Sequence, residues 1–425
     1  MRWKISVILI ILVISLLFGI SPVMANPSTV CQLNDAENYG LPVQVAVSDD
    51  GSGIITGSPS SGIVAFFDRD GKSLWAYKTN QSITNVAISG DGTYVSAASV
   101  NGGVSFFNNS GTLLWNFSKA GCFPQVRLAP SGSRGLIFNR NNPDRPFDQN
   151  LHMFDLNGSM SVEQKDPLIV DAGISNDSKF VVISWGKKSE TLVEYTDSGS
   201  HDLGYPAPGY RTAISGDRKT ITILSPQEID AYNREGNRIS VSRLNDDGRS
   251  VAVSSDGNMI VAGTQNDIES FAGTGSLLWS FRTGIDVASV AVSSHGGNVV
   301  ALALPGKEPN PTFGRIYYLS GTGKHLWNVT VPDHMGSLAL SHDGSIIAAG
   351  SFNDTVYVIS SGGEAHAMHL SNLSVEPIPT PLSHQVFYFN LSITPSNPAP
   401  VSMMGVVLAI GIAAAIVGRI TDGGE

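Results

Sequence analysis

The sequence predicts an all-β fold: a β-propeller of eight four-stranded blades, with seven as the alternative. Three observations carry that reading. The 425 residues hold 45 Gly and 42% hydrophobic but only 15% charged residues, which argues against a disordered chain, a coiled coil or a helical bundle. A polar turn motif returns about every 42 residues through the middle of the chain. A second motif, Gly-x-x-x-Trp, recurs within the same repeats.

The first motif is a β-branched run ending in Ser, followed by a short turn. It reads Val-Ala-Val-Ser-Asp-Asp-Gly at 45–51 and Val-Ala-Ile-Ser-Gly-Asp-Gly at 86–92. Its turn recurs as Ser-Asn-Asp-Ser at 175–178, Ser-Gly-Asp-Arg at 215–218, Ser-Ser-Asp-Gly at 254–257 and Ser-His-Asp-Gly at 341–344. Weaker forms are Ala-Pro-Ser-Gly at 129–132 and Ser-Ser-His-Gly at 293–296. A period near 42 belongs to a four-stranded propeller blade. In the first period, Val43–Ser48 and Ile54–Gly57 flank the Asp-Asp-Gly turn, and Ile63–Asp68 and Ser73–Tyr77 flank Arg69-Asp70-Gly71-Lys72. Short β runs bounded by Gly and Asp are the hairpin signal. One blade cannot bury both faces of its sheet, so neighbours must stack and the ring must close. Eight copies put the propeller at 43–370; seven blades result if a degenerate copy, around Ala129 or Ser215, forms none.

The second motif reads Gly71 to Trp75, Gly111 to Trp115, Gly275 to Trp279 and Gly323 to Trp327. The Gly supplies a hairpin turn, and the Trp four residues on is placed to pack against the neighbouring blade. This pattern resembles the tryptophan-docking repeat of the PQQ-like (quinoprotein-type) eight-bladed propellers, covering nearly all of 43–370 as architecture, with the Trp met in four blades. It is less like the WD40 repeat, for no Gly-His and Trp-Asp pair marks it. The resemblance implies a docking role for Trp75, Trp115, Trp279 and Trp327. The family's dehydrogenases also need a catalytic Asp, a calcium and a vicinal Cys pair. Cys31 and Cys122 are far apart, so the resemblance is read as one of fold, with no cofactor expected.

The chain ends place this propeller in a cell. Arg2 and Lys4, the apolar run 5–20 and Val23-Met24-Ala25 form a signal peptide over 1–25. An N-terminal segment, 26–42, precedes the ring. After it, 371–400 carries six Pro and reads as an extended stalk, in which the alternating stretch 387–393 could add one more strand at a blade edge. The uncharged run 401–418 spans about 27 Å as a helix, enough for one membrane crossing, and 419–425 is a short cytoplasmic tail. Nine N-x-[ST] sequons, at Asn80, Asn108, Asn116, Asn157, Asn176, Asn328, Asn353, Asn372 and Asn390, are glycosylation candidates on the outer side. Cys31 and Cys122 are a possible disulfide there.

Chemistry is sparse. A formal charge of −10 leaves no basic footprint for nucleic acid. Asp68-Arg69-Asp70-Gly71 looks like a calcium-loop fragment, but no closing Glu follows and a hairpin needs Asp and Gly there anyway. His325, His334 and His342 are close in sequence, yet the last two are expected on opposite faces, so no metal is assigned. No Gly-x-Ser-x-Gly, His-Glu-x-x-His or phosphate loop occurs.

The informative departures are enlarged loops. Loops between second and third strands share a face with the connections between blades. Two of them, 139–150 with Arg140, Arg145 and Asp148, and 305–314 with Lys307 and Glu308, are long. The connector 205–210, with Tyr205 and Tyr210 followed by Arg211, opens onto the same face. Long loops on a rigid scaffold are where binding sits. The resulting expectation is a single-pass cell-membrane protein, its propeller extracytoplasmic, acting as a non-catalytic binding or scaffold module for a surface protein or glycan. A channel-sited quinone- or metal-dependent enzyme and a purely structural envelope component are the alternatives.

Overall fold

The computed structural model describes residues 41–118, 123–139, 150–165, 168–176, 178, 180–185, 190–196, 199–206, 211–305 and 313–381. The signal peptide, Cys31 and Cys122, the stretch 387–393 and the run 401–418 lie outside them. Among the described residues, no helix is long and apolar enough to cross a membrane.

The described strands sort into eight sheets, each built on four antiparallel strands consecutive in sequence, with a fifth, parallel strand from the tail added to the first. They are called here blades one to eight: 44–78, 83–117, 124–165, 168–206, 211–243, 248–282, 286–331 and 335–369. In blade one the strands are Gln44–Val47, Gly53–Gly57, Ile63–Asp68 and Ser73–Lys78, within a residue or two of the expected bounds. The copies around Ala129 and Ser215 each fall in a four-stranded sheet, and the fold is a β-propeller throughout the described repeats.

Burial follows position within the blade. Second strands such as Met259–Thr264 and Ile346–Ser351 are buried along their whole length, because a blade covers each face. Fourth strands such as Leu277–Arg282 alternate between half-buried and exposed residues at the rim. First strands line the axis, and each lies beside the first strand of the next blade, with that of blade eight beside that of blade one.

The motif Ser-x-Asp-Gly forms a self-bonded turn. In blade one the Ser48 hydroxyl donates to Asp50 Oδ1 at 2.9 Å, the Ser52 amide donates to the same oxygen, and the Gly53 amide donates back to Ser48 Oγ at 3.0 Å. Blades two, five, six and eight repeat this with Asp91, Asp217, Asp256 and Asp343. The fourth turn position needs a positive φ, which Gly adopts freely. In blades four and five Ser178 (φ 62°) and Arg218 (φ 60°) adopt it instead, which accounts for the degenerate look of the copy around Ser215.

The end of the ring departs from the expected stalk. After blade eight a 3₁₀ turn, Leu370–Asn372, packs into the seam with blade one, and Glu376–Pro377 then pairs in parallel with Tyr77 and Lys78 on blade one's outer edge. The described part of 371–400 is thus extended but laid on the propeller.

Candidate functional site at the channel mouths

The first mouth of the axial channel is a ring of backbone hydrogen bonds between neighbouring Ser-x-Asp-Gly turns. The Asp49 amide donates to Gly90 O, Gly90 to Pro130 O, Asn176 to Gly216 O, Asp217 to Ser255 O, Ser294 to His342 O and Asp343 back to Asp49 O, at 2.7–3.2 Å. The last of these links blade eight to blade one. His342 Nδ1 lies 3.1 Å from Asp49 Oδ1 across the same seam. Burial raises the Asp49 carboxyl above its ordinary range, and His342 pulls against that.

Beyond the turns the channel holds a cavity of about 380 Å³. Its wall combines the alternating Val, Ala, Ile and Leu of the first strands with Arg127 and, toward the turns, Asp49, Asn176, Ser255, Ser294 and His342. Where the wall is apolar, it is so because the first strands are rich in aliphatic residues and each is pressed between two neighbours.

At the other end of the first strands the charges stitch blades together. The Asn85 side-chain oxygen accepts the Val126 amide of the next blade at 2.9 Å. Arg127 lies 3.9 Å from Asp171 of blade four and stands 5.8 Å from the Phe138 ring centre. Asp171, nearly buried, accepts the amides of Ala172 and of Thr212 in blade five. Arg249 pairs with Asp286 of blade seven at 3.1 Å, and the Ser250 hydroxyl accepts the Val290 amide. The carboxylate of Asp171 is thus occupied by two amides and a guanidinium, an arrangement that positions strands rather than moving a proton. Among the described residues no three His, Cys, Asp or Glu side chains converge as a metal site.

Of the expected binding residues, Arg211 begins the first strand of blade five, at this same mouth, and is half-buried. Tyr205 lies near the end of blade four's outer strand, Gly199–Pro206. Arg140, Arg145, Asp148, Tyr210, Lys307 and Glu308 lie outside the described residues. The stems of their loops are at this mouth: Asn139 is opposite Pro124 and Leu304 opposite Asp286, each at the start of a first strand. Sequence reasoning missed Asn85, Arg127, Asp171, Arg249 and Asp286. Their signal was charge or amide inside a first-strand run, set about one period apart.

The other candidates have local explanations. Asp68 Oδ1 accepts the amides of Asp70 and Lys72, so the calcium-like fragment is a hairpin turn. His334 stacks on Phe352 with centroids 4.2 Å apart, and burial lowers its pKa. It precedes the strand Met335–Leu340, whereas His342 follows it, and His325 stacks on Phe281. Each docking Trp reaches the next blade: Trp75 Nε1 donates to Asn109 O, Trp115 to Leu156 O, Trp279 to Gly321 O and Trp327 to Ser361 O, at 2.8–3.0 Å. Each indole lies over a turn glycine there, Gly111, Gly158, Gly323 and Gly363 respectively. Among the sequons, Asn80, Asn157, Asn176, Asn328, Asn353 and Asn372 sit in turns, connections or outer strands, with Asn353 bonded to Asp333. Asn108 accepts the Thr112 amide, Asn116 is half-buried, and Asn390 lies outside the described residues.

Repeat, docking Trp and ring define a β-propeller, and its repeats are similar to PQQ-like ones. A family model described as "Outer membrane protein assembly factor BamB" matches residues 225–376. No curated protein matches the chain in sequence. Among solved structures, the chain is similar in fold to the C-terminal WD40 domain of Sif2 (TM-score 0.60, 14% identity, 77% of this chain and 95% of that one). It is also similar to Sqt1 of Saccharomyces cerevisiae (TM-score 0.59, 12% identity, 76% and 96%). Sqt1 of Chaetomium thermophilum, bound to the N-terminus of ribosomal protein L10, compares at 0.58 and 13% identity, covering 76% and 97%. At these identities the likeness is one of fold. It extends to WD40 propellers although the chain lacks their signature dipeptides, because stacked four-stranded blades can be built from either repeat.

Proposed function

We propose that the chain is an eight-bladed propeller anchored in the cell membrane by the run 401–418. In this reading it holds a surface protein or glycan on the face where the first strands begin, without catalysing a reaction. The observation that supports this most is how the charges at that mouth are used. Arg127, Asp171, Arg249 and Asp286 engage neighbouring blades, so they stiffen the scaffold. The long loops 140–149, 207–210 and 306–312 spring from the same ends. Rigid stems with variable loops make a docking platform. Similar proteins fit such a platform: one solved propeller is bound to a protein's N-terminus, and the matching family model is described as an assembly factor.

Protease treatment of intact cells followed by mass spectrometry tests the placement. The expected result is release of peptides from 43–370, glycan on exposed sequons, an N-terminus after Ala25 and a membrane-retained fragment containing 401–418. Protection of the propeller until cells are lysed would overturn it. Cross-linking on intact cells tests the face, with partner links expected within 140–149 and 306–312. Links confined to the Ser-x-Asp-Gly ring, or a turnover lost in Asp49→Asn, would point to the channel and to an enzyme.

A further inference from the structure

We infer that the cleft between blades one and two, walled by the chain's own tail, is a saccharide site. A cavity of about 600 Å³ opens there, a size typical of small-molecule sites, and its lining shares no residue with the channel. Three elements build it: the connection 78–81 from blade one, the second to fourth strands of blade two, and the tail segment 375–378 that pairs with blade one's outer edge.

The lining fixes the chemistry of the occupant. It holds one cation, Lys78, which donates to the Ser61 carbonyl, and one carboxylate, Glu376, so it favours no net charge. Ile83, Ala97, Ser99, Ser105 and Asn116 share one face of the blade-two sheet, and Val64 of blade one with the tail's Val375 and Ile378 adds aliphatic surface. Polar groups in the lining are the carboxamides of Gln81 and Asn116 and the hydroxyls of Ser99 and Ser105. Some of these have protein partners already: Asn101 donates to Gln81 Oε1, and Ser99 donates to Gly103 O at 3.2 Å. Asn116 Oδ1, in contrast, is buried with no hydrogen-bond donor in reach. Rotation of this amide about its last torsion turns the oxygen toward the cavity, where an O–H group satisfies it. Aliphatic surface set among carboxamides and hydroxyls, without net charge, suits the C–H face and O–H edges of a pyranose. An anion would find no net positive charge to hold it.

The sugar has two possible sources. One is a free saccharide. The other is a glycan on Asn80, which is exposed at the lip of the cavity in the sequon Asn80-Gln81-Ser82. Saturation-transfer NMR on the full-length protein in detergent distinguishes them, using methyl glycosides of glucose, galactose, mannose and N-acetylglucosamine and their disaccharides. At least one is expected to give a saturable signal, weakened tenfold or more in Asn116→Leu and in Ser105→Phe, and unchanged in the channel variant Arg127→Ala. Thermal melts of the variants show whether they are folded; Asn116→Leu removes an unbonded oxygen and should melt like the wild type. Equal binding by the wild type and Asn80→Gln assigns the cleft to a free saccharide. Binding that appears only in Asn80→Gln, or after enzymatic deglycosylation, assigns it to the chain's own glycan. No signal from any sugar in any of these forms, or a signal indifferent to both cleft variants, overturns the proposal. Because the cleft lies apart from the loop face, that failure would leave the docking platform standing.

Discussion

Two seams of the ring solve one problem in different ways. Between blades six and seven, Trp279 lies over Gly323, its indole nitrogen donating to Gly321 O at 2.9 Å. Between blades eight and one no Trp is present. Met368 takes the indole's place over Gly71, with its sulfur 3.1 Å from where a Cβ would stand. The tail then adds Leu370, fully buried, and Leu373 between Ala65, Phe67 and Ala76 of blade one and Val356 and Val358 of blade eight. The Val43 amide donates to Ser351 O, and Ser58 and Ser60 donate to Asp354. The difference teaches where the constraint lies. Consecutive blades are joined by a short connection, so a single indole completes their seam. Blades one and eight are about 290 residues apart in sequence, no strand is shared between them, and closing so long a loop carries its own entropy cost. The closing seam therefore recruits a chain segment as well as side chains.

Three substitutions measure that comparison directly. Trp115→Ala, at an ordinary seam and 3% exposed, should cost about 3–5 kcal/mol by loss of buried surface and creation of a cavity. Met368→Ala, at the closing seam and half-buried, should cost roughly 1–2 kcal/mol. Urea unfolding checks both, and a Met368 cost equal to that of Trp115 would break the distinction between the seams. Leu370→Ala should cost about 2–4 kcal/mol, because the tail rather than the fourth strand fills this seam. A change below about 0.5 kcal/mol would show the tail to be an ornament.

These expectations show which parts of the molecule were legible. The turn and the Gly-x-x-x-Trp spacing are local, so sequence displays them directly, and strand bounds in blade one agree to a residue or two. Where another residue performs the same geometric task, the signal fades: Arg218 at positive φ, Met368 in place of Trp, and Ser242 donating to Gly275 O where blade five lacks its indole. The tail was harder still. A two-residue strand containing Pro377 has no periodicity, and it is ordered by pairing with residues 299 positions earlier. The channel mouth was illegible for a related reason. Asn85, Arg127 and Asp171 meet only because three first strands converge on one axis.

Asp354 offers an intermediate perturbation of the closing seam. Its carboxylate receives both Ser58 and Ser60, and it holds φ 65°, a conformation Asn also tolerates. Asp354→Asn keeps one acceptor oxygen and the backbone but loses the charge. The expected cost is about 1–2 kcal/mol, the worth of a charge-assisted bond over a neutral one. Asp354→Ala should cost more than Asn, because the buried Ser58 hydroxyl then loses its acceptor. The reverse order, read from urea midpoints, would mean that the hydrogen bonds to residue 354 contribute nothing net, since positive φ already disfavours Ala relative to Asn.

The smallest expected effect lies in the turn ring, which recurs around the axis and so bears on every seam alike. Burial raises the carboxyls of Asp50, Asp91, Asp256 and Asp343, but the Ser hydroxyl two residues before and the amide two residues after outweigh it, so each lies below its ordinary value of 3.8. A carboxyl whose folded pKa is depressed contributes stability above its unfolded value, and that contribution disappears as pH falls through the folded one. The propeller should therefore lose stability below about pH 4, with Asp49, Asp267 and Glu269, all raised by burial, offsetting part of the loss. Asp256→Asn isolates one turn. Asn keeps an acceptor for the Ser254 hydroxyl and the Asn258 amide, so the variant should be slightly less stable than the wild type at pH 7. The gap should narrow as pH falls below about 4 and close once the wild-type carboxylate, held below its ordinary value of 3.8, is protonated in the folded protein. Chemical denaturation across that range reads the gap directly. A gap that stayed constant would mean that the Asp holds the turn by shape rather than by charge, and a gap that widened would reverse the sign assigned to its hydrogen bonds.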